Sequence, residues 1–344
     1  MKNLRLIINY LSGSGFIYPM ESLNLQKKLA TIILKIFHSI QEFIPRKKTI
    51  VTIGTFDGVH IGHKKIIEKL IQNTSDVEYE SVILTFFPHP RIVLQEKSDI
   101  KLINTIEEKI LLLEKTGLDN LIIHPFDKKF AALTAEEFVQ TILVDLLNIQ
   151  KIIIGYDHRF GVNRSANIDD LILYGAKYGF EVEQISAKEI DAISVSSTKI
   201  RNAISAGNIT LANEYLGYSY FFSGKIIEGK QLGRTIGFPT ANIAIEADYK
   251  LIPKIGVYVV SSYFNNTVIF GMMNIGTNPT VEGKNISIEI HFFDFNENLY
   301  HQIMDITILE RIRDEQKFES LEALKSQIEK DKEFAISFLK TKKI

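Results

Sequence analysis

Two hydrophobic periods divide the chain. From about Lys35 to Ile185, short apolar runs alternate with stretches whose apolar residues recur every three to four positions. The runs predict strands over Ile50–Gly54, Ser81–Phe86, Asn120–Ile123, Lys151–Gly155 and Glu181–Ile185. The intervening stretches predict helices. Lys64–Ile71 has amphipathic spacing, and Ala135–Leu147 follows Thr134, with Glu137 placed to complete a capping box. Such alternation predicts a Rossmann-like α/β unit, a parallel sheet covered by helices on both faces. Beyond about Tyr218 the period falls to two, in Phe221–Ile227, Gly256–Ser261, Thr267–Asn274, Ser287–Phe292 and Met304–Leu309. Turn signals at Asn265-Asn266 and Glu282-Gly283 separate some of these runs, so this half predicts an antiparallel sheet or small β-barrel. Phe318–Leu339 predicts a closing amphipathic helix with Leu321, Leu324 and Ile328 on one face. The change of period places a domain boundary near 216–220.

Composition narrows the function classes. The 344 residues suit about two domains. A hydrophobic content of 45% argues against disorder. Lys plus Arg number 40 against 41 Asp plus Glu, a net charge of −1. Nothing in that balance favours nucleic acid or a membrane surface as partner. The absence of Cys removes disulfides, thiolate metal sites and Cys nucleophiles, and agrees with a reducing, cytoplasmic setting. No run reaches the length of a spanning helix, and the apolar Leu6-Ile-Ile8 run soon meets Ser12-Gly-Ser-Gly15, so it makes a poor signal peptide.

The most specific string is Gly54-Thr-Phe-Asp-Gly-Val-His-Ile-Gly-His63, between the first predicted strand and the Lys64–Ile71 helix. A glycine-bearing turn there points backbone N–H groups and the helix dipole at one spot, a favourable seat for phosphate. His60 and His63, three apart, share a face of the first helical turn. They can donate to phosphate oxygens or ligate a metal, although no third ligand stands nearby. Gly62 leaves room for close approach to the backbone. Thr85-Phe-Phe-Pro-His-Pro90 reads either as a rigid strand exit or as a wall beside a ligand. In Gly155-Tyr-Asp-His-Arg-Phe-Gly161, Asp157 is a turn former or a ligand acceptor, and Phe160 is core or a surface for a planar ring. Val195-Ser-Ser-Thr-Lys-Ile-Arg201 opens a helix; Ser197 and Thr198 are caps or, with Arg201, triphosphate contacts.

In the second half, Gly233-Arg-Thr-Ile-Gly-Phe-Pro-Thr-Ala-Asn242 lacks the ending of a Walker loop. Gly229, Gly233 and Gly237 permit a phosphate-wrapping loop, to which Arg234 adds a charge. Thr240 and Asn242 face one way on a strand and offer hard oxygens suited to Mg²⁺. Glu289 and His291 share a face of Ser287–Phe292, either as a half-solvated strand or with one of them as a general base.

Together these motifs resemble the prokaryotic bifunctional riboflavin kinase/FAD synthetase family. Gly54–His63 is similar to its HxGH signature, Val195–Arg201 to its second phosphate element, and Gly155–Gly161 to Gly-x-Asp-Phe-x-Phe-Gly with His158 in place of the first Phe. Gly233–Asn242, Gly256-Val-Tyr258, Asn274-Ile-Gly276, Glu289 and Arg313–Phe318 resemble the kinase half. The resemblance implies residues 34–217 as an FMN adenylyltransferase, 218–344 as a β-barrel riboflavin kinase, and 1–33 as an extension of unassigned role, the family starting near Lys35–Ile40. It further implies ATP, riboflavin and FMN as small-molecule partners, Mg²⁺ as cofactor, Glu289 as base, and His60, His63 and Arg201 as the groups that neutralise charge on ATP. Rival readings are a flavin-binding regulatory protein and an enzyme with one inactive half. Oligomeric state is left open.

Overall fold

The computed structural model describes residues 33–74, 78–95, 98–155, 158–186, 195–229, 233, 237–280 and 283–343. Asp157 and Arg234, and nearly all of the 1–33 segment, lie outside them. Among the described residues no helix is long and apolar enough to cross a membrane.

Six parallel strands build the first half: β1 (Lys35–Phe37), β2 (Lys48–Ile53), β3 (Tyr79–Phe87), β4 (Asn120–Pro125), β5 (Ile149–Gly155) and β6 (Glu181–Ile185), in the order β1-β4-β3-β2-β5-β6. The expected parallel sheet is present, with β1 as an edge strand that three residues were too few to announce. After β2 the chain builds outward through β3 and β4, then returns to place β5 on β2's other side. That reversal opens a crevice at the carboxyl ends of β2 and β5, where ligands of such sheets bind. Apolar residues of β2, Ile50 on one face and Val51 on the other, join separate clusters, so both faces of the sheet are covered.

The Thr134–Glu137 capping box forms as expected. The helix it starts then widens to a π-helix over Phe138–Leu146. Buried Phe138, Ile142, Leu143 and Leu147 recur at four to five residues, which a wider turn stacks on one face; the Leu147 amide donates to the Ile142 carbonyl at 2.9 Å.

The second half is a closed antiparallel barrel in the order β10-β11-β8-β7-β12-β9. Its strands are β7 (Phe221–Ile227), β8 (Ala241–Ala244), β9 (Gly256–Phe264), β10 (Thr267–Thr280), β11 (Gly283–Phe292) and β12 (Ile303–Arg313). Asn265 and Asn266, both left-handed, make the tight β9–β10 turn. The closing helix spans Leu321–Lys342, capped by Ser320. Its buried stripe begins later than expected. Leu324 and Ile328 are half-buried, whereas Leu321 is 65% exposed, and the helix buries Asp331, Ala335 and Leu339 further along. Asp331, buried on this helix, takes a bidentate pair of bonds from Arg313 of β12 (2.9 and 2.7 Å).

Among the described residues, the helices Ser197–Ala206 and Ile209–Leu216 follow β6. Their buried Ile200, Ala203, Ile204, Ala212 and Leu216 belong to the apolar cluster of the barrel, not of the parallel sheet. The change of period near 216–220 therefore marks the start of strands, while the packing boundary lies earlier.

Candidate functional site

The loop from Gly54 to His60 leaves β2 at the crevice and runs directly into helix α1 (Ile61–Asn73). Its path is strained: Phe56 and Val59 have φ of 46° and 35°, values that side-chain-bearing residues rarely adopt. Three features hold it there. Phe56 and Val59 are buried in the core beneath. The Lys109 ammonium donates to the Thr55 carbonyl at 2.7 Å, and Tyr218 Oη donates to the Gly58 carbonyl at 2.7 Å. Asp57 anchors the centre. Its Oδ1 accepts from the Ile103 amide at 2.9 Å, and its Oδ2 from Arg201 Nη1 at 3.1 Å.

His60 caps α1, its Nδ1 accepting from the His63 amide at 3.4 Å. That bond leaves the proton on Nε2, the nitrogen free to donate elsewhere. The two imidazoles stack with centroids 3.7 Å apart and planes 18° from parallel. Stacked rings send their in-plane nitrogens side by side, which suits neighbouring oxygens of a phosphate chain better than one metal ion. Burial and the Arg201 charge hold His60 down at a pKa of about 4; burial and the neighbouring His60 hold His63 well below the ordinary imidazole value. Both are neutral near pH 7, so each ring carries one N–H. His63 Nδ1 and Asn104 Nδ2 are buried without a protein partner.

The positive charge comes from elsewhere. Lys109, Arg201 and Arg91 bear on one another or on His89. Burial lowers Lys109 to a pKa of about 8 against the attraction of Asp57. Burial raises the Asp57 carboxyl against Arg201 and Lys109. Ser197 opens helix α4 (Ser197–Ala206), and its hydroxyl donates to the Asp57 carbonyl at 2.9 Å. The segment expected to bind triphosphate thus also braces the Gly54–His63 loop. Thr198 on the next position is exposed, and Phe160 is core.

Sequence reasoning missed Lys109 and Asn104, while His89 stood within the Thr85–Pro90 motif. Lys109 had a readable signal, since it sits three after Ile106 and four before Leu113 on the apolar face of its helix (Ile106–Leu113). Asn104 had none.

In the barrel, β11 pairs with β8 so that Glu289 faces Asn242. The Thr240 hydroxyl donates to Glu289 Oε2 at 3.2 Å. Thr240, Asn242 and Glu289 therefore converge, whereas the spacing had paired only Thr240 with Asn242 and Glu289 with His291. His291, the other candidate base, has Nδ1 2.9 Å from the Pro239 carbonyl and an edge contact with Phe238. Gly229 lies so close that a Cβ there would collide with the Asn242 side chain; one at Gly233 would collide with the Phe238 carbonyl, whose own amide bonds Gly233. Gly237 has φ +87°. Gly229 and Gly233 thus keep backbone, not side chains, beside Asn242 and Thr240.

A family model for FAD synthetase matches residues 44–199, and one for riboflavin kinase matches residues 216–339. A curated bifunctional riboflavin kinase/FMN adenylyltransferase from Haemophilus influenzae is 38% identical, covering 83% of this chain and 93% of that protein. The protein of the same name from Escherichia coli K12 is 33% identical, covering 89% and 97%. A crystal structure described as a macrolide-efflux protein from Streptococcus pneumoniae superposes with a TM-score of 0.80 at 31% identity, covering 88% of this chain and 99% of that one.

Proposed function

This chain belongs to the bifunctional riboflavin kinase/FMN adenylyltransferase family, with both catalytic domains present, and from that premise we propose which residues carry each reaction. Residues 218–344 phosphorylate riboflavin with ATP, giving FMN and ADP. Residues 34–217 then adenylylate FMN with ATP, giving FAD and pyrophosphate.

For adenylyl transfer, the observation that carries the assignment is the stacked His60–His63 pair at the start of α1, beside Arg201. The FMN phosphate attacks the α-phosphorus of ATP, and pyrophosphate leaves. The Nε2–H of His60, the neutral His63 ring and the first amides of α1 donate to phosphate oxygens as charge moves onto them. Arg201 gives one N–H to Asp57 and has four more for the polyphosphate. Ser197 and Thr198 line the same helix start. Gly54, Phe56 and Gly62 shape the floor, and Asp157 is assigned as a further ligand contact from the sequence motif alone. No general base is needed, because a phosphate monoester is ionised near neutral pH.

For phosphorylation, Glu289 takes the proton from the riboflavin hydroxyl as it attacks the γ-phosphorus. Gly229, Gly233, Arg234 and Gly237 wrap the nucleotide. The Thr240 hydroxyl, the Asn242 amide and the Glu289 carboxylate are hard oxygen donors in one place. They fit Mg²⁺, which Thr240 and Asn242 would hold; when bound it neutralises charge on the phosphates. Glu289→Gln tests this half: FMN formation stops while FAD formation from supplied FMN persists. Loss of both would mark Glu289 as structural.

A further inference from the structure

The segment from Leu102 to Lys109 is shared between the two halves. Leu102 runs alongside the barrel half, its amide donating to the Tyr249 carbonyl at 2.7 Å and its carbonyl accepting from the Leu251 amide at 2.8 Å. One residue later the segment faces the other way. The Ile103 and Asn104 amides both donate to Asp57 Oδ1, at 2.9 and 3.4 Å.

The Ile103 carbonyl lies in the same rigid peptide plane as the Asn104 N–H. It accepts from Lys250 Nζ at 2.6 Å. One peptide plane thus has Lys250 of the barrel half on one edge and Asp57 of the nucleotide loop on the other. The other two ammonium donors go to the Phe221 carbonyl, at 2.9 Å, and to the Glu108 carboxylate. Lys250 and Glu108 have fully buried side chains. Glu108 is held in turn by the Ser223 amide of β7, at 2.9 Å, and by the Thr105 amide, at 3.0 Å. All three donors of Lys250 are used, so none is left for a ligand. Whatever it contributes to chemistry passes through the groups it holds.

On the far side of Asp57, Arg201 rides on α4, whose Ile200, Ala203 and Ile204 are seated in the barrel's apolar cluster. Both supports of Asp57 are therefore referenced to the barrel, and hydrogen bonds in such a chain polarise one another. A buried ion pair is seldom more stabilising than apolar side chains of equal size. Its evident product here is the placement of one peptide.

We propose that Lys250, although it lies in the barrel half, is a positioning residue for adenylyl transfer: through the Ile103–Asn104 peptide and Asp57 it sets where Arg201 and the Gly54–His63 loop meet ATP. This rests on the adenylyl-transfer reading of that loop.

The test uses the full chain carrying Lys250→Met with Glu108→Gln, which removes both charges and leaves no lone buried ion, beside Lys250→Met alone. Riboflavin phosphorylation and FMN adenylylation are assayed separately. The kcat of adenylylation is expected to fall at least tenfold with KM for FMN little changed, while phosphorylation stays within twofold. Adenylylation within twofold of the unsubstituted chain in a variant that still phosphorylates riboflavin overturns the proposal. So does parallel loss of both activities, or failure of both variants to fold, since the pair would then serve the fold alone. If the unsubstituted chain makes no FAD from FMN, the reading of the loop itself is wrong; if it does and the variants are indifferent, only the role of Lys250 is.

Discussion

Replacing Lys109 by Met removes a buried ammonium that touches the nucleotide loop while keeping its aliphatic bulk. The Thr55 carbonyl then keeps only the Thr85 hydroxyl, at 3.2 Å, in place of a charged donor at 2.7 Å. A hydrogen bond from a charged group contributes about 1.5–3 kcal/mol. At about 1.36 kcal/mol per decade, its loss at the strained Phe56–Val59 path should cost roughly 10- to 100-fold in kcat/KM for FMN adenylylation. Riboflavin phosphorylation on the same preparation supplies the internal control and should change less than twofold. The pH dependence adds a second signature. Burial lowers Lys109 to about 8, so in the free enzyme the ammonium is present below that pH and lost above it. Adenylylation kcat/KM should fall as pH rises through about 8 in the unsubstituted chain and lack that limb in Lys109→Met. Bound polyphosphate would hold the proton on, so the limb in kcat should lie higher. A loss below threefold, or an alkaline limb that survives the substitution, refutes the reasoning.

Because His60 and His63 are already neutral at pH 7, the adenylylation rate should show no imidazole titration between pH 6 and 8; a limb there that vanishes in His60→Gln would contradict their role as neutral donors. Gly229→Ala drives a methyl into the Asn242 side chain, so it should abolish phosphorylation and spare adenylylation, read as FMN and FAD formed from riboflavin and from FMN respectively. Arg313→Ala strands the buried Asp331 carboxylate, a change that costs about 3–5 kcal/mol when a buried pair is broken, and should lower the thermal midpoint by more than about 5 °C.

The period of the hydrophobic pattern told the parallel sheet from the barrel because each half buries its strands differently: two-faced and near-continuous in β2 and β3, alternating in β7 and β12. It missed β1 and β8, three and four residues long, because neither completes a recognisable period. It also set Leu321 on the apolar face with Leu324 and Ile328, and helical spacing shows which residues share a face, not which of them are covered. The helix start that carries His60 and His63 and the shared face of Thr240 and Asn242 were legible because turn chemistry and strand period are local, whereas the pairing that sets Glu289 opposite Asn242 joins strands far apart in the chain. Nor were the positions of Asn104 and Lys250 legible, which come from segments brought together over long sequence separations, as when Lys250 meets the Ile103 carbonyl. Arg201 was read as a phosphate ligand; its further tie to Asp57 could be seen only once the two helices' starts were placed side by side.

The central claim is that the two chemistries sit at separate, named sites. His63→Ala, incubated with riboflavin, ATP and Mg²⁺ and followed by chromatography of the flavins, tests it most directly. FMN should accumulate at the rate of the unsubstituted chain with no FAD. FAD formed at an undiminished rate would contradict the account.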